Sequence, residues 1–200
     1  MAAPVTIEVL QQGLLSVASS HSTQLAAARA ITDNRDQMVA EWAEWLATRA
    51  GSAGFSPQLL ERQLRLVADG LIEMLGPLRR EAKPVWEELM EHYGRTAATR
   101  GLAAGEVVEE IQRLRLLLIK FIGAFVAAMR PRRAVAVFVR LNNIIDHGIA
   151  AAVVGYTDAL VASLMMTDRQ TLSLTEASGD DLDRQFEEME SKLRTVAVRR

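Results

Sequence analysis

The sequence has no cysteine, three histidines and nearly balanced charge, and each shortage narrows what the chain can do. Without cysteine there is no disulfide framework, no thiolate metal site and no cysteine nucleophile, and the composition suits a reducing compartment. His21, His92 and His147 are the whole supply of imidazole for acid–base or metal chemistry. Lys and Arg total 23 against 25 Asp and Glu, so a net charge of −2 provides no basic field to draw nucleic acid. No phosphate-binding loop, no GxGxxG fingerprint and no Ser/His/Asp arrangement occurs. Internal repeats and alternating strand patterns are missing too. These absences argue against an enzyme.

The apolar stretch Met1–Ile31 has no basic leader and is interrupted by Gln11, Gln12 and His21, so a signal peptide is not expected. Leu116 to Met129, with Lys120 inside it, is too short to span a bilayer and reads as a core helix. The expectation is a soluble, cytoplasmic protein without membrane insertion.

Half of the 200 residues are hydrophobic, enough for a substantial core. Ala and Leu dominate and β-branched runs are few, which favours helix. Punctuation places the helices. Residues 6–30 form one or two Ala-rich helices, and Asp33 or Asn34 caps another that runs to about Ala50 with Val39, Trp42, Trp45 and Leu46 on one face. Gly51 to Gly54 is a loop. Ser56-Pro57 starts a helix carrying Leu60, Leu64, Val67, Leu71 and Leu75, which stops at Gly76-Pro77. Pro84 opens the next, with Trp86, Met90, Tyr93 and Ala97 inward, and Gly101 ends it. From about Ala104 to Met129, Val107, Ile111, Leu114, Leu118, Phe121 and Phe125 form a stripe widened by Leu117 and Ile122. Pro131 begins a long helix to about Thr167 through Val135, Phe138, Leu141, Ile145, Ala152, Tyr156 and Leu160.

Thr167 to Gly179 is polar and reads as a linker. Beyond it, a short helix capped by Asp180 or Asp181 carries Leu182, Phe186, Met189, Leu193 and Val196 at four-three-four-three spacing. Two heptads are too few for a stable isolated coiled coil, so this seam requires a surface: its own domain, a twin subunit or another protein. The organisation expected is an N-terminal helical extension over 1–31, a helical domain over 32–168, and a linker with amphipathic tail over 169–200.

Several short runs recur together. They are Glu91-His92-Tyr93-Gly94-Arg95, Arg100-Gly101, Val107-Val108-Glu109-Glu110, Leu114-Arg115, Trp42 near the domain start, and Leu141-Asn142-Asn143-Ile144-Ile145-Asp146. Over roughly residues 33 to 165 this resembles the N-terminal domain of RsbRD-type proteins, the RsbT co-antagonists, which also precedes some bacterial sensor histidine kinases. The resemblance implies an all-α, globin-like bundle without haem that serves as an input module and often dimerises. It also implies a long last helix feeding an output domain; here a tail of about thirty residues stands in place of a STAS or kinase module.

His92, at a helix end beside Tyr93 and near Glu88 and Glu91, reads as a switch or ligand residue or as a structural hydrogen bond. A di-metal site would need inward Glu-x-x-His pairs from two helices, and the spacing here is Glu-x-x-x-His and Glu-His. His147 beside Asp146 has the residue type of a haem ligand but no facing companion. Arg115 lies among Val108, Ile111, Leu118, Ile119 and Ile122, so it must reach solvent or find a partner. Asn142, Asn143, Asp146 and His147 offer a polar patch, with Asp146 the expected partner; if that pair is buried, Arg115→Met costs about 3 kcal/mol. His92, Arg95, Arg115, Asn142, Asp146 and His147 are therefore taken as a structural or sensory polar cluster. Glu106, Glu109, Glu110 and Arg113 read as a solvated face. Arg130, Arg132 and Arg133 are a basic knot without interleaved aromatics, insufficient for nucleic acid.

The function expected is that of a non-catalytic bacterial regulatory protein without cofactor. It would form a homodimer or higher homo-oligomer and bind a protein partner through the tail seam. Two alternatives stand beside it. One is a sensor of small apolar ligands in a cavity near Trp42, Trp45, Trp86 and Phe121; the other is a metal- or haem-dependent helical enzyme.

Overall fold

The structure, a computed structural model, describes the backbone of residues 7–49, 56–166 and 179–198, and side chains over 22–49, 56–165 and 181–198. Among the described residues it is all-α, with no strand. Its helices are α1 (Ile7–Ala47), α2 (Pro57–Leu75), α3 (Arg79–Thr99), α4 (Ala104–Ala127), α5 (Pro131–Met166) and α6 (Gly179–Val198). The expected loop at residues 51–54 and most of the expected linker lie outside the described residues.

Three expected boundaries are corrected. No helix begins at Asp33 or Asn34, because α1 runs through both without a break. Short polar side chains here turn back onto their own helix instead of capping a new one: Thr32 Oγ1 donates to the Ala28 carbonyl and Asn34 Nδ2 to the Ala30 carbonyl. Pro84 does not open its helix either, since α3 begins at Arg79. The proline removes one intrahelical bond near the start, at a point where it and Arg80 are exposed and water can serve the freed carbonyl. The third is the cap expected at Asp180 or Asp181: α6 already begins at Gly179, so both lie within its first turn. Other punctuation holds. Ser56-Pro57 starts α2, with Ser56 Oγ bonded to the Gln58 side chain and not to a backbone amide. Gly101, at φ +76°, closes α3 in the left-handed conformation that glycine takes without strain, and Leu102 N–H returns to the Ala97 carbonyl.

Packing closes a ring: α1 against α2, α2 against α3, α3 against α5, α5 against α4, and α4 back against α1, with α6 lying on α2 and α3. The core inside contains Trp42, Leu64, Leu71, Trp86, Met90, Tyr93, Ile111 and Leu118. The α3–α5 contact is close because both helices lack a Cβ where they cross. A Cβ at Gly94 would stand 1.8 Å from the Ala152 carbonyl oxygen, and one at Gly155 would stand 2.0 Å from that of Glu91. Backbone therefore meets backbone at this crossing.

Candidate interaction surfaces

A buried hydrogen-bond network centred on Glu110 joins α1, the end of α3 and α4. Glu110, expected on a solvated face, is fully buried and accepts hydrogen bonds from Arg100 Nη2 at 2.6 Å, Arg100 Nη1 at 3.2 Å and Tyr93 Oη at 2.7 Å. Its own carbonyl accepts from Trp42 Nε1 at 3.1 Å, and the Trp42 ring stacks on Tyr93. Burial pushes the Tyr93 phenol well above its ordinary value, and the Glu110 charge adds to this. Burial alone would lower Arg100, but the Glu110 carboxylate outweighs it and the guanidinium stays charged. With every Glu110 oxygen bonded and the group sealed from solvent, this network has the form of a fold-specifying ion pair. The signal for it was available: Glu110 stands three residues after Val107 and four before Leu114, inside the apolar stripe of α4.

The six residues of the expected polar cluster separate into two groups. Arg115 does pair with Asp146, linking α4 to α5, but on a rim: the side chains are 29% and 59% exposed. Nearby, Asn142 Nδ2 donates to the Phe138 carbonyl and exposed His147 contacts the Asn143 carbonyl through Nδ1, so both serve their own helix. His92 and Arg95 lie instead between α3 and α6, around a cleft of about 170 Å³ that they share with Glu88, Gln185, Glu188 and Met189. His92 is buried; its Nε2 meets Gln185 Oε1 at 2.7 Å and its ring meets Phe186 edge-on at 5.3 Å. Burial lowers its pKa to about 4, so the ring is neutral near pH 7. The carboxylates beside it are committed elsewhere, Glu88 to Lys192 and Glu91 to Arg95. Among the described residues no three His, Asp or Glu side chains group as metal ligands would. Side-chain details of His21 lie outside the described residues.

The aromatic rings considered for a ligand cavity are individually occupied. Trp42 and Trp86 are in the core, Trp45 carries the guanidinium groups of Arg49 and Arg113, and Phe121 lies beneath Lys120.

Two surfaces remain. The tail seam packs on α2 and α3, with Phe186, Met189, Leu193 and Val196 buried and Leu182 partly so. The second surface is the outer face of α4 and α5. Val135 and Leu160, expected inside, are 60% and 45% exposed, and Leu116, Ile119, Val139, Val154, Val161, Leu164 and Met165 are exposed with them. At about 100° per residue the exposed α5 positions fall on one side of the helix, with Asn143, Asp146 and Ala150 between them. The expectation that no segment could span a membrane by length rested on Leu116–Met129. Pro131–Met165 is long and apolar enough to do so by length and composition, and little of its apolar stretch is buried. No family model, no characterised protein and no solved structure matches the chain.

Proposed function

We propose that the chain is a non-catalytic bacterial regulatory module that acts through protein–protein contact and self-associates through the outer face of α4 and α5. The observation that carries this reading is the apolar stripe on that face, from Leu116 and Ile119 on α4 to Val135, Val139, Val154, Val161 and Leu164 on α5. Soluble monomers rarely leave so many large apolar side chains together in water. A second copy is the partner favoured, because Arg115 and Asp146 lie together in the stripe. A face that carries both charges meets its twin without like-charge repulsion. The resemblance to RsbRD-type input domains, globin-like and often dimeric, points the same way. On that analogy, a change in packing along α5 is the signal passed on.

Light scattering coupled to gel filtration tests this. The wild type is expected to elute as a dimer or larger species at micromolar concentration, and Leu116→Glu with Val139→Glu as a folded monomer. A monomeric wild type, or double-variant oligomers of unchanged mass, would overturn it. The hydropathy of α5 favours a second reading, contact with a lipid surface, which the polar run Asn142, Asn143, Asp146 and His147 at its middle opposes. Flotation of the wild type with vesicles, lost in the same variant, would select that reading instead.

A further inference from the structure

We propose that the α2–α3 groove is a helix-binding site in which α6 is a resident, displaceable ligand. From another protein it would accept an amphipathic helix with an aromatic anchor and carboxylates three residues before and four residues after that anchor. This inference is independent of the α4–α5 contact, since it concerns a different pair of helices. The spacing is read from α6 itself, where Asp183 precedes Phe186 by three positions and Glu190 follows it by four.

The groove has a defined chemistry. Arg62 of α2 donates through Nη1 to Asp183 at 2.8 Å and through Nε to Glu190 at 2.7 Å, so one guanidinium holds two acids one heptad apart. Both of its carboxylate partners belong to α6. The same guanidinium lies 5.6 Å from the Phe186 ring centre, and the His92 ring closes the other side of the pocket edge-on. His92 Nε2 has its partner on α6 as well, at Gln185, and Lys192 crosses back to Glu88 at 2.6 Å. Without α6, Arg62 and buried His92 would lose these partners and the apolar floor would face water. The groove is therefore built to be filled by an acidic amphipathic helix.

The occupant has the character of a removable one. It is a single helix of 20 residues with four buried apolar side chains and a solvated outer face including Arg184, Glu187, Glu188, Ser191 and Arg194. An element held by so narrow a seam belongs to the low end of the local-stability range. A competing helix with the same anchors gains what α6 gains, and the connection of α6 to its own domain sets the concentration the competitor must reach.

The test uses the full chain and a fluorescein-labelled peptide of residues 179–198, followed by fluorescence anisotropy. Phe186→Asp empties the anchor pocket in cis, so this variant should bind the peptide about ten-fold or more tightly than wild type does. Adding Arg62→Glu should weaken that binding by about ten-fold or more, and a peptide carrying Asp183→Arg and Glu190→Arg should restore it. A folded Phe186→Asp chain that shows no saturable binding, or binding indifferent to Arg62→Glu, would overturn the proposal. Hydrogen exchange of the unmodified chain provides a readout that survives misfolding of the variants. The α6 amides should exchange about a hundred-fold faster than those of α2 and α3, and equal protection would mean α6 is an integral wall of the fold.

Discussion

The glycine crossing between α3 and α5 makes the strongest demand on the fold, and alanine substitution there tests the packing argument directly. A Cβ at Gly94 would meet the Ala152 carbonyl oxygen at 1.8 Å and the Tyr156 nitrogen at 2.8 Å; a Cβ at Gly155 would meet the Glu91 carbonyl at 2.0 Å. These obstacles are backbone atoms, so no rotamer change relieves them. The helices must part by about 1.2 Å at Gly94 simply to reach the 3.0 Å limit that real Cβ contacts respect, and neighbours such as Trp86 and Met90 lose contact as they do. Overpacking against movable side chains costs about 1–3 kcal/mol and occasionally more, and rigid backbone puts this site above that range, at about 4 kcal/mol. Alanine recovers up to about 1 kcal/mol through better helix propensity, which leaves a net loss of about 3 kcal/mol for either substitution.

Gly123 on α4 supplies the control, because a Cβ there meets nothing within 4 Å. Only the propensity term acts, so Gly123→Ala should stabilise by about 0.5–1 kcal/mol. For a domain of this size that corresponds to thermal midpoints about 6–12 °C lower for Gly94→Ala or Gly155→Ala and about 1–4 °C higher for Gly123→Ala. Circular-dichroism melts at one fixed protein concentration read both, since self-association would make the midpoint concentration-dependent. Gly94→Ala melting with the wild type, or all three shifting in the same direction, would refute the close-approach reasoning.

Three further outcomes follow from individual contacts. Glu110→Leu leaves the Arg100 side chain buried without its counter-ion and should cost about 3–5 kcal/mol in chemical denaturation, while adding Arg100→Met should recover much of the loss. Arg115→Met should cost no more than about 1 kcal/mol, because its pair with Asp146 is on the rim; a loss near 3 kcal/mol would show the pair to be desolvated in an assembly. For His92, burial holds the folded-state pKa at about 4, below the ordinary 6.5. The unfolded chain therefore takes up the proton first as pH falls, so the folded state is most favoured above 6.5 and loses about 3 kcal/mol between 6.5 and 4. His92→Gln should flatten that part of the stability–pH profile measured by urea titration, and an unchanged slope would mean other groups produce it.

The contrast between Arg115 and Glu110 shows what periodicity could and could not deliver. Both are charged residues beside an apolar stripe on α4, and the rule that such a residue must find a partner applies equally to each. Applied to Arg115 it led to Asp146, the partner observed. Glu110 instead reads as one of a group with its neighbours Glu106 and Glu109, although its spacing from Val107 and Leu114 puts it nearer the centre of the buried face than Arg115 is. Adjacent acids look like one solvated cluster in a linear sequence, but each step of about 100° around the helix separates them. On α5 the difficulty is the opposite. The helix is apolar on more than one side, so spacing alone could not choose between a face containing Val135 and Leu160 and one containing Leu141, Ile145 and Ala152. The glycines decide it: Gly148, Gly155 and the small Ala152 lie on the side that approaches α3, where a larger side chain could not fit. The α6 seam was legible for the reason α5 was not, since its four-three spacing allows one buried face. Its seat was hidden, because Arg62 is one of several charges along α2, and only the tertiary placement of Asp183 and Glu190 one heptad apart distinguishes it from Glu61 or Arg65. An amphipathic helix in a sequence thus declares that it will be covered, while the charges that choose its cover become readable only where two helices meet.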